Sequence, residues 1–219
     1  MTFFNNPERL WKLAQIMLGG LNNTLSIFAI TLVLSLPLGL LIALGRMSKN
    51  KLVSRIVSFY IYIMRGTPLI LQIMFIYFVV PQIMPFKTDR FLTVIFAFVI
   101  NYAAYFAEIF RSGIQSIPVG QREAAQVLGY KRGQTFIRII LPQAIRNVMP
   151  SMTNEVITLV KDTALASTVA IAEIMVIAKQ QASNSSSAEP YLMAAIIYLV
   201  LNGIAEQLCK LVERKINYY

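Results

Sequence analysis

Long apolar runs separated by short basic segments dominate the chain. Residues 25–45, 66–86, 91–107 and 190–205 carry no charged side chain, and each approaches the roughly 20 residues that cross a bilayer core as helix. A fifth stretch, 147–172, is apolar but interrupted by Glu155, Lys161 and Asp162. The pattern predicts an all-α membrane protein with five transmembrane helices in one domain, 1–219. Before the first span, Leu10, Leu13, Ala14 and Met17 recur at helical spacing beside Trp11, which predicts an interfacial helix within 1–20. Pro7, Glu8 and Arg9 stand where a cleavable signal would need a continuous apolar core, so none is expected.

Punctuation refines this picture. The polar stretch 180–187, with the sequon Asn184-Ser185-Ser186, reads as a loop, and Pro190 suits the first turn of the last helix. Pro142 and Pro150 mark the entry to the fourth span. The small, hydroxyl-rich run 163–168 predicts an interrupted helix, tolerable in a membrane only where protein or water satisfies the backbone. In the first span Pro37 predicts a bend. Gly39 and Ala43, at small-xxx-small spacing, face either a packed neighbour or lipid.

Composition agrees with a membrane setting: 57% of residues are hydrophobic and 14% charged, against about 25% charged in a soluble domain. Charge placement sets the orientation. Arg46, Lys49, Lys51, Arg55, Arg111, Arg122, Lys131, Arg132, Arg138, Arg146, Lys210, Arg214 and Lys215 fall on one side of alternating spans. Arg9, Lys12, Lys87, Arg90 and Lys179 fall on the other. Thirteen against five predicts an outside N-terminus, a cytoplasmic C-terminus and a cytoplasmic loop over 113–143. The net charge of +10 is thereby explained by topology, and no nucleic-acid partner is implied, because the basic residues form no tract with interleaved aromatics. Cys209 is the single cysteine and histidine is absent, which excludes an intrachain disulfide, His/Cys metal clusters and His-dependent triads. No GxxxxGK[ST] phosphate loop occurs, so this chain does not cradle ATP in the usual way.

Within the basic loop the chain reads EAAQVLGYKRGQTFIRIILP from Glu123 to Pro142. Its spacing resembles the EAA loop of ABC-transporter permeases, which docks on the ATPase subunit. Glu123, Ala124, Ala125, Leu128 and Gly129 are the candidate coupling residues, on a predicted cytoplasmic helix over 119–132. Small Ala124 and Ala125 and side-chain-free Gly129 suit close approach of a partner, and Gly129 also suits a helix C-terminus. Arg65-Gly66-Thr67-Pro68-Leu69, the Asn101/Ala104-Tyr105/Glu108 pattern, Asn154-Glu155 and the run Lys161 to Ser167 resemble the polar amino-acid branch of bacterial ABC importers.

Those residues also make physical sense without the resemblance. Asn101, Tyr105 and Glu108 share one helical face, as do Glu155, Thr158 and Asp162. A charge at the bilayer centre costs about 2.5–3.5 kcal/mol on insertion scales, so such groups face a partner or a water-filled path. Glu108 reads either as a path residue or as an ion-pair partner of Arg111 or Arg65. Lys161 and Asp162 read either as path residues or as a structural pair at the helix break. With Thr67, Gln72 and Tyr102 these residues form the candidate substrate path.

The resemblance implies a permease subunit in the bacterial cytoplasmic (inner) membrane. Its partners would be a second permease copy or homologue, ABC ATPase subunits carrying ATP and Mg, an extracytoplasmic solute-binding protein and an amino-acid substrate. The chain itself would be no enzyme and bind no cofactor. The competing class is an ion-driven secondary transporter, which the intramembrane acids favour and the missing inverted repeat disfavours.

Overall fold

The computed structural model describes residues 7–83 and 89–217; Lys87 and the end of the 66–86 span lie outside them. Among the described residues the elements are all helical. Helix α1 (Pro7–Leu18) turns at Gly19-Gly20 into α2 (Leu21–Arg46). Helix α3 (Lys51–Gly66) is followed by α4 (Leu69–Met74), a π-helical turn (Phe75–Val79) and α5 (Val80–Ile83). Helix α6 (Arg90–Gln115) leads to α7 (Val119–Val127) and α8 (Arg132–Thr135), and a second π turn (Phe136–Ile140) opens α9 (Leu141–Asp162). A 3-10 segment (Thr163–Val169), α10 (Ile174–Ser185) and α11 (Glu189–Asn217) complete the chain.

Three helical units are long and apolar enough to cross a membrane: Pro7–Arg46, Arg90–Gln115 and Glu189–Ile216. The pair Lys51–Gly66 and Leu69–Ile83, bent by 104°, makes a fourth if taken as one broken span. Helix α9 is 22 residues long, but Arg146, Glu155, Lys161 and Asp162 keep it outside that set.

Several boundaries differ from those the sequence predicts, each for a local reason. Residues 51–65, in the basic segment between the 25–45 and 66–86 runs, are helix and not a connecting loop. Asn50 caps them, its side chain accepting from the amides of Leu52 and Val53, which satisfies donors that a helix start leaves open. The stretch 180–185 is likewise helix instead of loop. Glu173 caps that helix, accepting from Met175 and Val176 amides at 2.7 Å each, so the helix propagates through its polar end and closes at Ser186 (φ 47°). Helix α9 begins at Leu141, six residues before the expected span. The expected single helix over 119–132 stops at Val127. The interruption over 163–168 is present as the 3-10 segment, closed by Ala170 at φ 57°.

Both π turns have one cause. Val80 bonds back to the carbonyl of Phe75, and Leu141 to that of Phe136, each one residue before a proline. A proline has no N–H, and its ring presses on the carbonyl four residues back. A turn widened to i→i+5 relieves that pressure without ending the helix.

The core is built on α2 and α6. Thr24, Ile27, Thr31, Ser35, Gly39 and Ala43 form the buried stripe of α2. A methyl group on Gly39 would sit 2.8 Å from Phe106 Cβ and 3.1 Å from the Ala103 carbonyl. Of the two readings of Gly39, the packed one holds. Gly113 does the same between α6 and α9, where an added Cβ would meet Val148 Cγ1 at 2.1 Å. At the other end of α2, Leu13 and Met17 of α1 pack with Ile174, Ala178 and Ala194 of α10 and α11, while Trp11 stays 64% exposed.

Candidate functional site

Two helix breaks line one cavity together with α6, and the site lies there. The first break is at 66–68. The residue before a proline is pushed to extended backbone, and Thr67 (φ −120°, ψ 145°) ends α3 accordingly. Carbonyls released by a break need new donors. Gln72 Nε2 donates to Met64 O (3.0 Å), Thr67 O (3.2 Å) and Thr67 Oγ1 (2.8 Å). Asn101 Nδ2, from α6, donates to the same Met64 carbonyl at 2.9 Å and to Gln72 Oε1 at 3.0 Å. Gln72 and Asn101 therefore hold the break closed.

The second break follows Asp162. Its carboxylate accepts from the Tyr102 hydroxyl at 2.8 Å, and Tyr102 is itself 1% exposed and stacked on Phe98. One α6 side chain thus fixes the last carboxylate of α9. One turn and two turns back on the same face stand Thr158 and Glu155. Thr158 donates back to the Asn154 carbonyl at 3.0 Å, and the Glu155 carboxylate makes no hydrogen bond within the described residues, although Asp162 and Arg65 lie within its electrostatic reach.

Between the breaks is a cavity of about 520 Å³ lined by Arg65, Thr67, Asn101, Tyr102, Tyr105, Glu155, Thr158 and Asp162, with Gly66, Pro68, Leu69, Ile70 and Leu165. Seven of the ten candidate path residues meet there. Three do not. Gln72 sits behind the wall as a staple. Lys161 is exposed and outside the lining, at the flank of the face that carries Glu155 and Thr158. Glu108 lies one helical turn beyond Tyr105 and lines a second cavity, of about 420 Å³, with Arg46, Ser58, Ile61, Tyr62, Arg65, Gly66 and Tyr105. There Arg111 donates to both its oxygens, at 2.9 and 2.7 Å, and Arg65 and Arg46 approach at 3.8 and 4.0 Å. Its ion-pair reading is thus realised.

The candidate coupling residues form a separate region. Glu123, Ala124 and Leu128 are exposed on α7, Leu128 by 74%. Ala125 is 1% exposed, so its small size serves packing inside this chain, not approach of a partner. Gly129 adopts φ +79° and an added Cβ would meet nothing within 4 Å. The amide of Gly129 bonds to Gln126 O and that of Tyr130 to Ala125 O, both at 3.0 Å, which is the Schellman closure of a helix. Glycine is needed there for its backbone.

Two residues stand outside the candidate path set drawn from the sequence, which names Arg65 only within its motif and as an ion-pair partner and does not single out Glu173. Arg65 lines both cavities, and its place directly before the Gly-Thr-Pro break was the available signal. Glu173, 0% exposed, also accepts from Tyr198 OH at 2.8 Å and so ties α10 to α11; a lone acid between two apolar stretches was the only clue.

The family described as binding-protein-dependent transport system inner membrane component matches residues 35–218. The arginine transport system permease protein ArtQ of Bacillus subtilis (strain 168) is 39% identical over 202 residues, covering 92% of this chain and 92% of its own. The octopine transport system permease protein OccM of Rhizobium radiobacter is 40% identical over 217 residues, covering 95% of this chain and 89% of its own. A crystal structure described as an amino acid ABC transporter with histidines is similar at a TM-score of 0.88 and 34% identity, over 98% of this chain and 99% of that one.

Proposed function

The chain belongs to the binding-protein-dependent transport inner-membrane component family, and from that premise we propose that it carries polar amino acids, cationic ones above all, through an ATP-driven importer. In this reading two permease subunits form the path in the bacterial cytoplasmic membrane. An extracytoplasmic binding protein delivers substrate, and separate ATPase subunits, which hold ATP and Mg, dock on α7. Five spans follow if α3–α5 is one broken span and α9 is the fifth, its charged face turned to the path. The Lys and Arg asymmetry then puts the N-terminus outside. Cysteine labelling at Ser48 and Ser186 in a Cys209→Ser background should report opposite sides, Ser186 from outside; labelling from one side overturns this orientation.

The observation that carries the reading is the pair of carboxylates, Glu155 and Asp162, lining one polar cavity at two helix breaks. Backbone and charge are exposed at such depth only where water or a polar solute meets them. The names of ArtQ and OccM, transport permeases for arginine and octopine, point the same way. Glu155→Gln tests it. Losing a charge-assisted hydrogen bond costs about 1.5–3 kcal/mol, roughly ten- to a hundredfold in affinity. Uptake of a basic amino acid per assembled complex should fall by that factor, and uptake of a neutral one much less. An unchanged preference removes Glu155 from the site. Uptake that persists without the ATPase but collapses with an ionophore would favour an ion-driven transporter instead.

A further inference from the structure

The two cavities on α6 share part of their lining: Arg65, Gly66 and Tyr105 belong to both. The Arg65 guanidinium stands 5.2 Å from the Tyr105 ring centroid, so this cation and ring form the boundary between the chamber of Glu155 and Asp162 and the chamber of Glu108. Arg65 is weakly held there. Its approach to Glu108 is 3.8 Å, and Glu108 already takes two short bonds from Arg111. Among the described residues Arg65 donates no hydrogen bond, and its side chain is 44% exposed. A guanidinium has five N–H donors in a planar fork whose best partner is a carboxylate bound through both oxygens.

The remaining charges give the larger cavity a direction. Its acids, Glu155 and Asp162, come from α9, and its one lining cation, Arg65, comes from the end of α3. Lys161, the other cation near this break, is outside the lining. A solute with a cationic group at one end and a carboxylate at the other matches that arrangement. A simple amine or diamine leaves Arg65 unmatched.

We propose that Arg65 reads the α-carboxylate of the transported amino acid at the boundary between the two cavities. This rests on the reading of the larger cavity as the substrate path. Capture of the carboxylate draws the guanidinium from Tyr105 and Glu108, so recognition and opening toward the second cavity are one movement. Substrates with the right cationic end but no carboxylate are held by α9 alone and leave the boundary shut.

Direct binding of arginine and of its decarboxylated analogue agmatine to the purified permease–ATPase complex, without the binding protein, tests this. The wild type should favour arginine by about ten- to a hundredfold, the worth of one charge-assisted contact. Arg65→Gln should bring arginine down to the level of agmatine and leave agmatine unchanged, while Arg65→Lys should keep part of the preference. The ratio is independent of how much complex folds. An Arg65→Gln complex that keeps the wild-type ratio overturns the proposal, as does an equal loss of both ligands, which would make Arg65 a structural clamp. Glu155→Gln separates the levels: it should weaken both ligands together. If it leaves both unchanged, or if the wild type binds neither, the path reading fails and the role of Arg65 falls with it.

Discussion

The cavity region and the α7 region are both marked by short motifs, yet they are built in opposite ways. Cavity residues come from α3, α6 and α9, and most are already engaged: Tyr102 with Asp162, Asn101 with Met64 and Gln72. The α7 residues come from one continuous segment, and most of their side chains point away from the chain. Backbone freed by a helix break in an apolar setting needs new partners, so this cavity is assembled from several helices that brace one another. The α7 segment rests on its own local backbone bonds, closed at Gly129, and on exposed side chains. Change should therefore spread from the first region and stay local in the second.

The largest effect is expected at Gly113. A side chain there would overlap Val148 of α9, and overpacking costs about 1–3 kcal/mol or more. Gly113→Leu should cut the yield of folded permease severely and displace both cavity walls, measured by thermal stability in detergent. A stable Gly113→Leu protein would show that α6 and α9 do not brace the cavity. Next is Tyr102→Phe, which leaves the Asp162 carboxylate without its hydroxyl donor. A hydrogen bond to a charged group contributes about 1.5–3 kcal/mol. Uptake of cationic substrate should fall by about tenfold or more, and the protein should remain folded.

Smaller and confined effects are expected at α7. A residue with a Cβ in left-handed backbone costs about 1–2 kcal/mol, and asparagine tolerates it best. Because the space around Gly129 is open, backbone strain and not bulk should decide the outcome. Gly129→Val should weaken binding of the ATPase severalfold in a pull-down, Gly129→Asn much less, and neither should alter membrane insertion. Equal loss in both variants would restore the view that close approach of a partner requires glycine. The smallest effect is expected at Asn50, whose cap is worth about 1 kcal/mol. Asn50→Ala should lower thermal stability slightly and leave substrate preference unchanged.

Much of the fold was readable because local chemistry governs it. Apolar runs of bilayer length and the hydroxyl-rich 163–168 run each act within a turn or two, whereas the break at Thr67-Pro68 was not read from the sequence. Boundaries failed where a cap extended a helix against polar composition, as Asn50 and Glu173 do at the starts of α3 and α10. The candidate site was readable as two polar faces, because helical spacing places residues on a face. That Glu108 belongs to Arg111 and not to the larger cavity, and that Ala125 turns inward, followed from the orientation of neighbouring elements.

By itself, then, the sequence determined that the chain is helical, where its long apolar runs lie, that 163–168 interrupts a helix, and which faces are polar, since those depend on contacts a few residues apart. Tertiary structure decided which polar residues share a cavity, which carboxylates are already paired, and that Arg65 stands between two chambers. Met64 and Asn101, or Tyr102 and Asp162, are tens of residues apart in the chain. The packing of α3 on α6 and of α9 on α6 at Gly113 brings such pairs within bonding distance.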